Sequence, residues 1–283
     1  MNEEKAEYLP IEKLHPFEEH PFKVKDDEEM DRLQWSICTE GMLTPVVVRP
    51  MENGEYEVIS GHRRIHACRK AGIRTVPALI RSLDRDAAAI AVVDSNLHRE
   101  HILPSEKAFA YKMKMDAMNR QGKRTDLTSN QVGRKLETAD LIAEQNDDSK
   151  TQVRRYIRLT HLIPGILQKV DEGQIALTPA VALSYLTEPE QSILLEAMEC
   201  ADCTPSLSQA VQLKKFSQAG TLDSDIIRTM MNEPKANQQE KISFRMTDIR
   251  KYFPKSYSAA QIQETILTLL QNYERHRRQD RSR

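Results

Sequence analysis

Apolar and polar positions along the chain follow two rhythms, and the change from one to the other divides it. Between residues 27 and 40, Met30, Leu33 and Ile37 recur at helical spacing, and Gly41 follows where a C-cap glycine belongs. Residues 45–49 and 55–60 then read as strands, with Asn53-Gly54 as the hairpin signal between them. A helix from about His62 to Lys70, stopped by Gly72, precedes a strand around Val76 to Arg81 and a helix from about Arg85 to Asn96. This mixture predicts a small α+β domain.

From Pro104 the strand rhythm fades and an all-α region follows. Pro104-Ser105-Glu106 opens a helix expected to reach about Asn119, and the polar stretch Arg120 to Thr128 reads as a loop. Short helices are expected over 130–136, 139–145 and 149–159, the last opened by a capping box of Ser149 and Gln152. The second and third, joined by a tight polar turn, make a helix-turn-helix. On its final helix Val153, Ile157 and, less fully, Leu159 face the core, which leaves Lys150, Thr151, Gln152, Arg154, Arg155 and Arg158 mostly outward. Further helices are expected over 165–173, 179–186, 190–199 and 207–216. Polar, proline-interrupted residues 232–240 read as linker, and Ser258 with Gln261 caps a last helix whose Ile262, Ile266, Leu269, Leu270 and Tyr273 form one stripe. A lone amphipathic helix cannot bury such a stripe, so it folds over Tyr252-Phe253 or dimerises. The expected division is therefore an amino-terminal α+β domain over 1–102, a helical helix-turn-helix domain over 103–218, a linker over 219–241 and a small helical carboxy-terminal segment over 242–283, a candidate for dimerisation.

Charge sharpens this division. A net charge of −1 over 283 residues hides an acidic stretch at 1–31 and two basic clusters, Lys150 with Arg154, Arg155 and Arg158, and Arg275 with Arg277 and Arg278. Local basic stripes on a neutral chain suggest phosphates met at particular places. The apolar runs 46–48 and 87–93 are far too short to span a bilayer, and the acidic amino terminus is unlike a secretory signal. Four scattered cysteines, Cys38, Cys68, Cys200 and Cys203, make no disulfide framework, so a reducing cytoplasm is expected.

The candidate chemistry centres on Gly61-His62-Arg63-Arg64, where a strand gives way to a helix. Glycine permits close backbone approach, the helix start offers free N–H groups, and guanidinium forks match phosphate oxygens. A second element, Asp94 to Glu100, adds the neutral oxygen ligand Asn96 and a further arginine, Arg99. Two histidine pairs, His62 with His66 and His98 with His101, also have spacings that share a helix face and suit a metal. The arginines beside both pairs argue against one, because they repel a cation.

These pieces together resemble the ParB/Noc-like (ParB/RepB family) partition proteins, from about Leu9 to Leu186. The resemblance is carried by Ile11 to Pro16, Ser36 to Pro50, the box Gly61 to Ala67, the segment Asn96 to Arg99, Val153 to Leu159 and Asp171 to Ile175. It implies a CTP-binding amino-terminal domain over 1–102, a double-stranded-DNA site read by the helix-turn-helix, and a homodimeric DNA clamp serving plasmid or chromosome segregation beside a partition ATPase. The expected location is cytoplasmic, on the nucleoid or a plasmid. Carried over by position, Gly41, Thr44 and Pro45 would lie near the base, Gly61, His62, Arg63 and Arg64 at the phosphates, Asn96 on Mg²⁺, and Arg99 on a phosphate. The family has glutamate where this chain has His62 and again where it has Ser95, which puts CTP hydrolysis in doubt more than binding. His62, neutral or protonated, adds attraction where a carboxylate repels. The polar insertion 120–137 is similar to variants on plasmids and mobile elements. Two other readings stay open, a helix-turn-helix transcriptional regulator without a nucleotide switch and a metal enzyme. A sulfiredoxin-like enzyme would need a cysteine in the phosphate loop, and Cys68 lies well along the helix.

Overall fold

The protein is described from a computed structural model covering residues 6–99, 101–125, 131–146, 148–232 and much of 249–270. It comprises two compact units, 1–233 and 234–283.

The first unit opens with strand β1 (Glu7–Pro10), a single 3₁₀ turn (Ile11–Lys13) and strand β2 (Leu14–Pro16). Helix α1 (Glu28–Glu40), strands β3 (Val46–Pro50) and β4 (Tyr56–Ser60), helix α2 (His62–Lys70), strand β5 (Thr75–Ile80) and helix α3 (Arg85–Asp94) follow. The strands form a mixed sheet of order β1-β5-β3-β4-β2, in which β3–β5 and β2–β4 are parallel and the other two pairs antiparallel. Neither β1 nor β2 was expected, because strands this short with Pro10 and Pro16 at their ends carry no readable alternation. Between β3 and β4 the chain turns over Met51 to Glu55, where Met51 N–H donates to Glu55 O at 2.8 Å and Gly54 has φ +79°.

Both faces of the sheet are covered, and adjacent strand residues divide between them. Val46, Val48 and Val58 join Met30 and Ile37 of α1 and Ile65 and Cys68 of α2 in one core. On the other face Ile59 packs with Ala88, Ala89 and Val92 of α3, and Val47 lies against that cluster. This explains why Val46-Val47-Val48 is apolar throughout and does not alternate.

The helical part begins with α4 (Pro104–Thr125), α5 (Gln131–Gln145) and α6 (Lys150–Leu159). Helix α4 runs beyond Asn119 through the start of the expected loop at 120–128. Arg120 there pairs at 2.7 Å with the buried carboxylate of Asp86, and a single Gly122 costs a helix only about 1 kcal/mol. The expected helices over 130–136 and 139–145 are one helix from Gln131 to Gln145; buried Thr138 bridges the supposed break by donating to Asn119 Oδ1 at 3.1 Å.

Helices α7 (Pro164–Asp171), α8 (Leu177–Leu183), α9 (Glu188–Cys200), α10 (Leu207–Gln218) and α11 (Ser224–Asn232) share one core built on Ile166, Leu183, Leu194, Leu213 and Ile227. The linker expected from 219 is therefore overturned for residues 224–232. Ile227, Met230 and Met231 of α11 are buried, and Gln209 Nε2 donates to Met230 O at 2.6 Å. Its remaining expected residues, 233–241, lie outside the described part. In the second unit the Ser258–Gln261 cap forms, with Ser258 N–H donating to Gln261 Oε1 at 2.8 Å. Ile262 is buried there, while Leu267, Leu269 and Leu270 are exposed. Tyr273 and the basic tail lie outside the described residues.

Candidate nucleotide cleft and nucleic-acid interface

Gly61 makes the strand-to-helix corner that the tetrad needs. Its φ of +103° is left-handed, and a Cβ there would sit 2.7 Å from Val46 Cγ1, so both backbone and packing require glycine. Ile65 N–H donates back to Gly61 O at 3.0 Å, starting α2 directly at the corner. The two arginines that follow part company. Arg64 turns inward and donates to the carbonyls of Thr44 and, at 3.0 Å, Pro45, and burial lowers its pKa. It thus braces the loop that starts at Gly41, whose φ of +76° ends α1. Arg63 points to the other side and pairs with Glu29 at 3.1 Å and Asp27 at 3.5 Å, at the start of α1.

Arg63 lies in a cleft of about 810 Å³ that Arg99, Lys23, Lys25, His98 and His101 also line. Arg99 is held 5.4 Å from the centre of the Phe22 ring. Burial lowers its pKa; Glu106 opposes this and the neighbouring charge of Arg63 adds to it. Of the acids lining the cleft, Glu106 already accepts the N–H groups of Lys23 and Leu103 at 3.0 and 3.2 Å. Asp27 and Glu29 remain as the partners of Arg63. A cleft with four permanent cations and its carboxylates engaged suits a polyanion.

His62 is placed differently from the expectation that it meets phosphate. Its Nε2 accepts from Phe17 N–H at 3.4 Å, and its ring lies 3.9 Å from that of His20, off the lining of the cleft. Burial, with the charges of His20 and Arg99, pushes its pKa down to about 3. It is neutral at physiological pH, and the attraction expected of a protonated ring is absent. His66 lies against Asp26 at 3.0 Å, so the two histidines of that pair serve different partners and do not converge on a metal.

Asn96, just past α3, is buried, and its Nδ2 donates to Val92 O at 2.8 Å and Ser95 Oγ at 3.1 Å. Its Oδ1 is the atom it could offer a cation. One neutral oxygen fits Mg²⁺ only where phosphates and water complete the shell. Of the nine expected nucleotide residues, Arg63 and Arg99 line the cleft; Arg64 is joined to Thr44 and Pro45 off its lining, and Gly61 forms the corner from which the two arginines diverge.

The helix-turn-helix is built on α4. Val153 of α6 and Ile142 of α5 pack on Tyr111, and Tyr156 meets the Tyr111 ring edge-on at 6.1 Å. Ser149 Oγ accepts from Gln152 N–H at 3.1 Å; the return half of the expected capping box is replaced by Arg155 Nη1 donating to Gln152 Oε1 at 3.4 Å. Asp148 in the turn accepts from Tyr111 Oη and pairs with Lys107 at 2.7 Å. Thr151 and Arg154 are exposed and Gln152 partly so. Lys150 pairs across the motif with Asp140, Arg155 donates to Thr178 Oγ1, and Arg158 donates to Ser184 Oγ and O at 3.1 and 2.8 Å. The six expected reading residues therefore divide in three: Thr151, Gln152 and Arg154 at the start of α6 reach solvent, Lys150 is paired with α5, and Arg155 and Arg158 turn toward α8.

Residues 1–97 match the ParB N-terminal domain family. The chain is 32% identical over 193 residues, 68% of its length, to a nucleoid occlusion protein of Listeria innocua, and spans 62% of that protein. It is 30% identical over 191 residues to a probable chromosome-partitioning protein ParB of Pseudomonas putida, covering 68% of this chain and 60% of the relative. The chain thus spans less than two thirds of these relatives. Two structures of C-terminally truncated ParB from Caulobacter crescentus are also similar. The one complexed to the centromeric parS site has 25% identity, a TM-score of 0.44 and coverage of 74% of this chain and 98% of that one. The one with CTP-gamma-S has 26% identity, a TM-score of 0.32 and coverage of 69% and 98%.

Proposed function

Because its amino-terminal domain belongs to the ParB N-terminal domain family, we propose that this chain is a DNA-binding partition protein that binds CTP and clamps double-stranded DNA as a homodimer. The observation that supports this best is the presence in one compact unit of a cationic cleft holding Arg63 and Arg99 and a helix-turn-helix with Thr151, Gln152 and Arg154 toward solvent.

In this reading residues 1–102 hold nucleotide, the helices from 103 to 232 hold DNA, and residues 242–283 join two copies. Arg63 exchanges Asp27 and Glu29 for phosphate oxygens, Arg99 reaches another, and the N–H groups opening α2 add donors. The Gly41–Pro45 loop, braced by Arg64, borders the base. Bound Mg²⁺ would neutralise phosphate charge, with Asn96 Oδ1 as its protein oxygen. CTP hydrolysis is slow or absent: His62 is neutral and turned to Phe17, and Ser95 Oγ donates to Val92 O at 3.0 Å, so neither supplies a base where the family has glutamates. On DNA, Thr151, Gln152 and Arg154 read base edges, and Arg155 and Arg158 lie near phosphates. The protein works on a nucleoid or plasmid in the cytoplasm, with a partition ATPase as partner.

One observation favours a transcriptional regulator without a nucleotide switch: both tetrad arginines already have protein partners. The test uses protein with genomic DNA fragments and Mg²⁺, crosslinked with CTP, ATP, GTP, UTP or none. Only CTP is expected to change the crosslinked species. Identical complexes in all five samples leave the regulator.

A further inference from the structure

Tyr185, in the turn after α8, is 40% exposed, and two cations share its ring. The Arg158 guanidinium carbon lies 4.1 Å from the ring centre and Lys214 Nζ lies 3.6 Å from it. Arg158 ends the DNA-reading helix α6 and is fixed by its two bonds to Ser184, while Lys214 comes from α10, outside the helix-turn-helix. Among the described residues neither cation has a carboxylate within ion-pair distance, and the neighbourhood's Glu190 is bonded to Thr187 N–H and Ser217 Oγ at 2.7 Å each. Ring attraction stabilises each cation modestly at an exposed site and leaves their mutual repulsion uncompensated. Beside them Arg158 and Ser184 also line an open cleft of about 490 Å³, whose one lining carboxylate, Glu188, makes no ion pair with Arg158.

From this geometry we infer that Arg158, Tyr185 and Lys214 form a second contact with the DNA backbone, separate from the base-reading start of α6. The inference rests on the DNA-binding reading above. A recognition helix enters the groove by its N-terminal residues, so its far end lies toward the backbone. Arg158 is seven residues beyond Thr151, about 10 Å along the axis at 1.5 Å per residue, or roughly three phosphate steps of one strand. The ring presets both cations, so little side-chain freedom is lost on meeting phosphate. Helix α10 packs on α8 through Ala210 and Leu213, which brings Lys214 to the ring.

The test is fluorescence anisotropy of the full chain on a mixed-sequence 24-base-pair duplex between 50 and 200 mM salt. Lys214→Gln should lower the salt slope of log affinity by about 1 unit, so that its deficit against wild type shrinks by about 3-fold across that range. Lys214→Arg should restore the wild-type slope, and an unchanged thermal midpoint in Lys214→Gln keeps folding out of the comparison. A Lys214→Gln slope equal to wild type overturns this contact alone. Salt-independent or absent binding by the wild-type chain overturns the DNA reading itself.

Discussion

Gly61 and His62 show how much one side chain's setting decides. Gly61→Ala should lower stability by about 1–3 kcal/mol, because a left-handed φ and a 2.7 Å approach to Val46 Cγ1 act together; urea denaturation measures it, and wild-type stability would show that the corner relaxes freely. For His62 the folded pKa is about 3 against an ordinary 6.5, so below pH 6.5 the unfolded chain binds a proton that the folded one refuses. Its stabilising effect is thus complete above pH 6.5 and is lost as pH falls toward 3. His62→Gln, which keeps an acceptor for Phe17 N–H, should lose less stability than wild type between pH 7 and 4. Equal acid profiles would place the titration elsewhere. Residue types alone marked the tetrad as a candidate anion grip. That Arg63 faces the cleft and Arg64 braces a loop was not, because adjacent helical positions point about 100° apart and only packing says which direction is solvent.

At the scale of elements, α4 acts as the spine. Lys107, Tyr111 and Lys114 lie on one face of it at i, i+4 and i+7 spacing and reach Asp148 of the turn, Asp94 of α3 and Gln145 of α5. Lys114 is 1% exposed, yet nothing in its sequence context separates it from the surface lysines around it. Lys114→Met should cost about 1–3 kcal/mol by leaving Gln145 and Asp94 without their donor, partly offset by water at half-exposed Asp94. Chemical denaturation would show it, and no loss would mean that the apolar stem carries the contact. Helix α11 offers a sharper case, since Ile227, Met230 and Met231 at i, i+3 and i+4 carried a helical signal that the polar residues after 231 obscured. Ile227→Ala should cost about 2–5 kcal/mol, whereas a change under 0.5 would return this segment to linker.

For the whole molecule, the proposed dimer has the exposed Leu267, Leu269 and Leu270 of the second unit as its candidate seam. Replacing Leu269 and Leu270 with glutamate should convert a dimer to a monomer in sedimentation equilibrium, and a dimer that survives would place the interface elsewhere. The sequence by itself determined the order of elements from α1 to α3, the start of α6 with its Ser149 cap, and the helix-turn-helix, and it marked out the glycine corner with its two arginines. Those features rest on periods of two and 3.6 residues, on glycine conformations and on charge, all of which are local. Tertiary structure alone decided that β1 and β2 flank the sheet and that α4 and α5 run unbroken. It also decided that His62 is neutral against Phe17 and His20, and that Arg158 and Lys214 meet over Tyr185. Each of these depends on a partner distant in the chain. Burial and the pairing of charges are properties of the packed molecule, and no local pattern encodes which distant residue arrives.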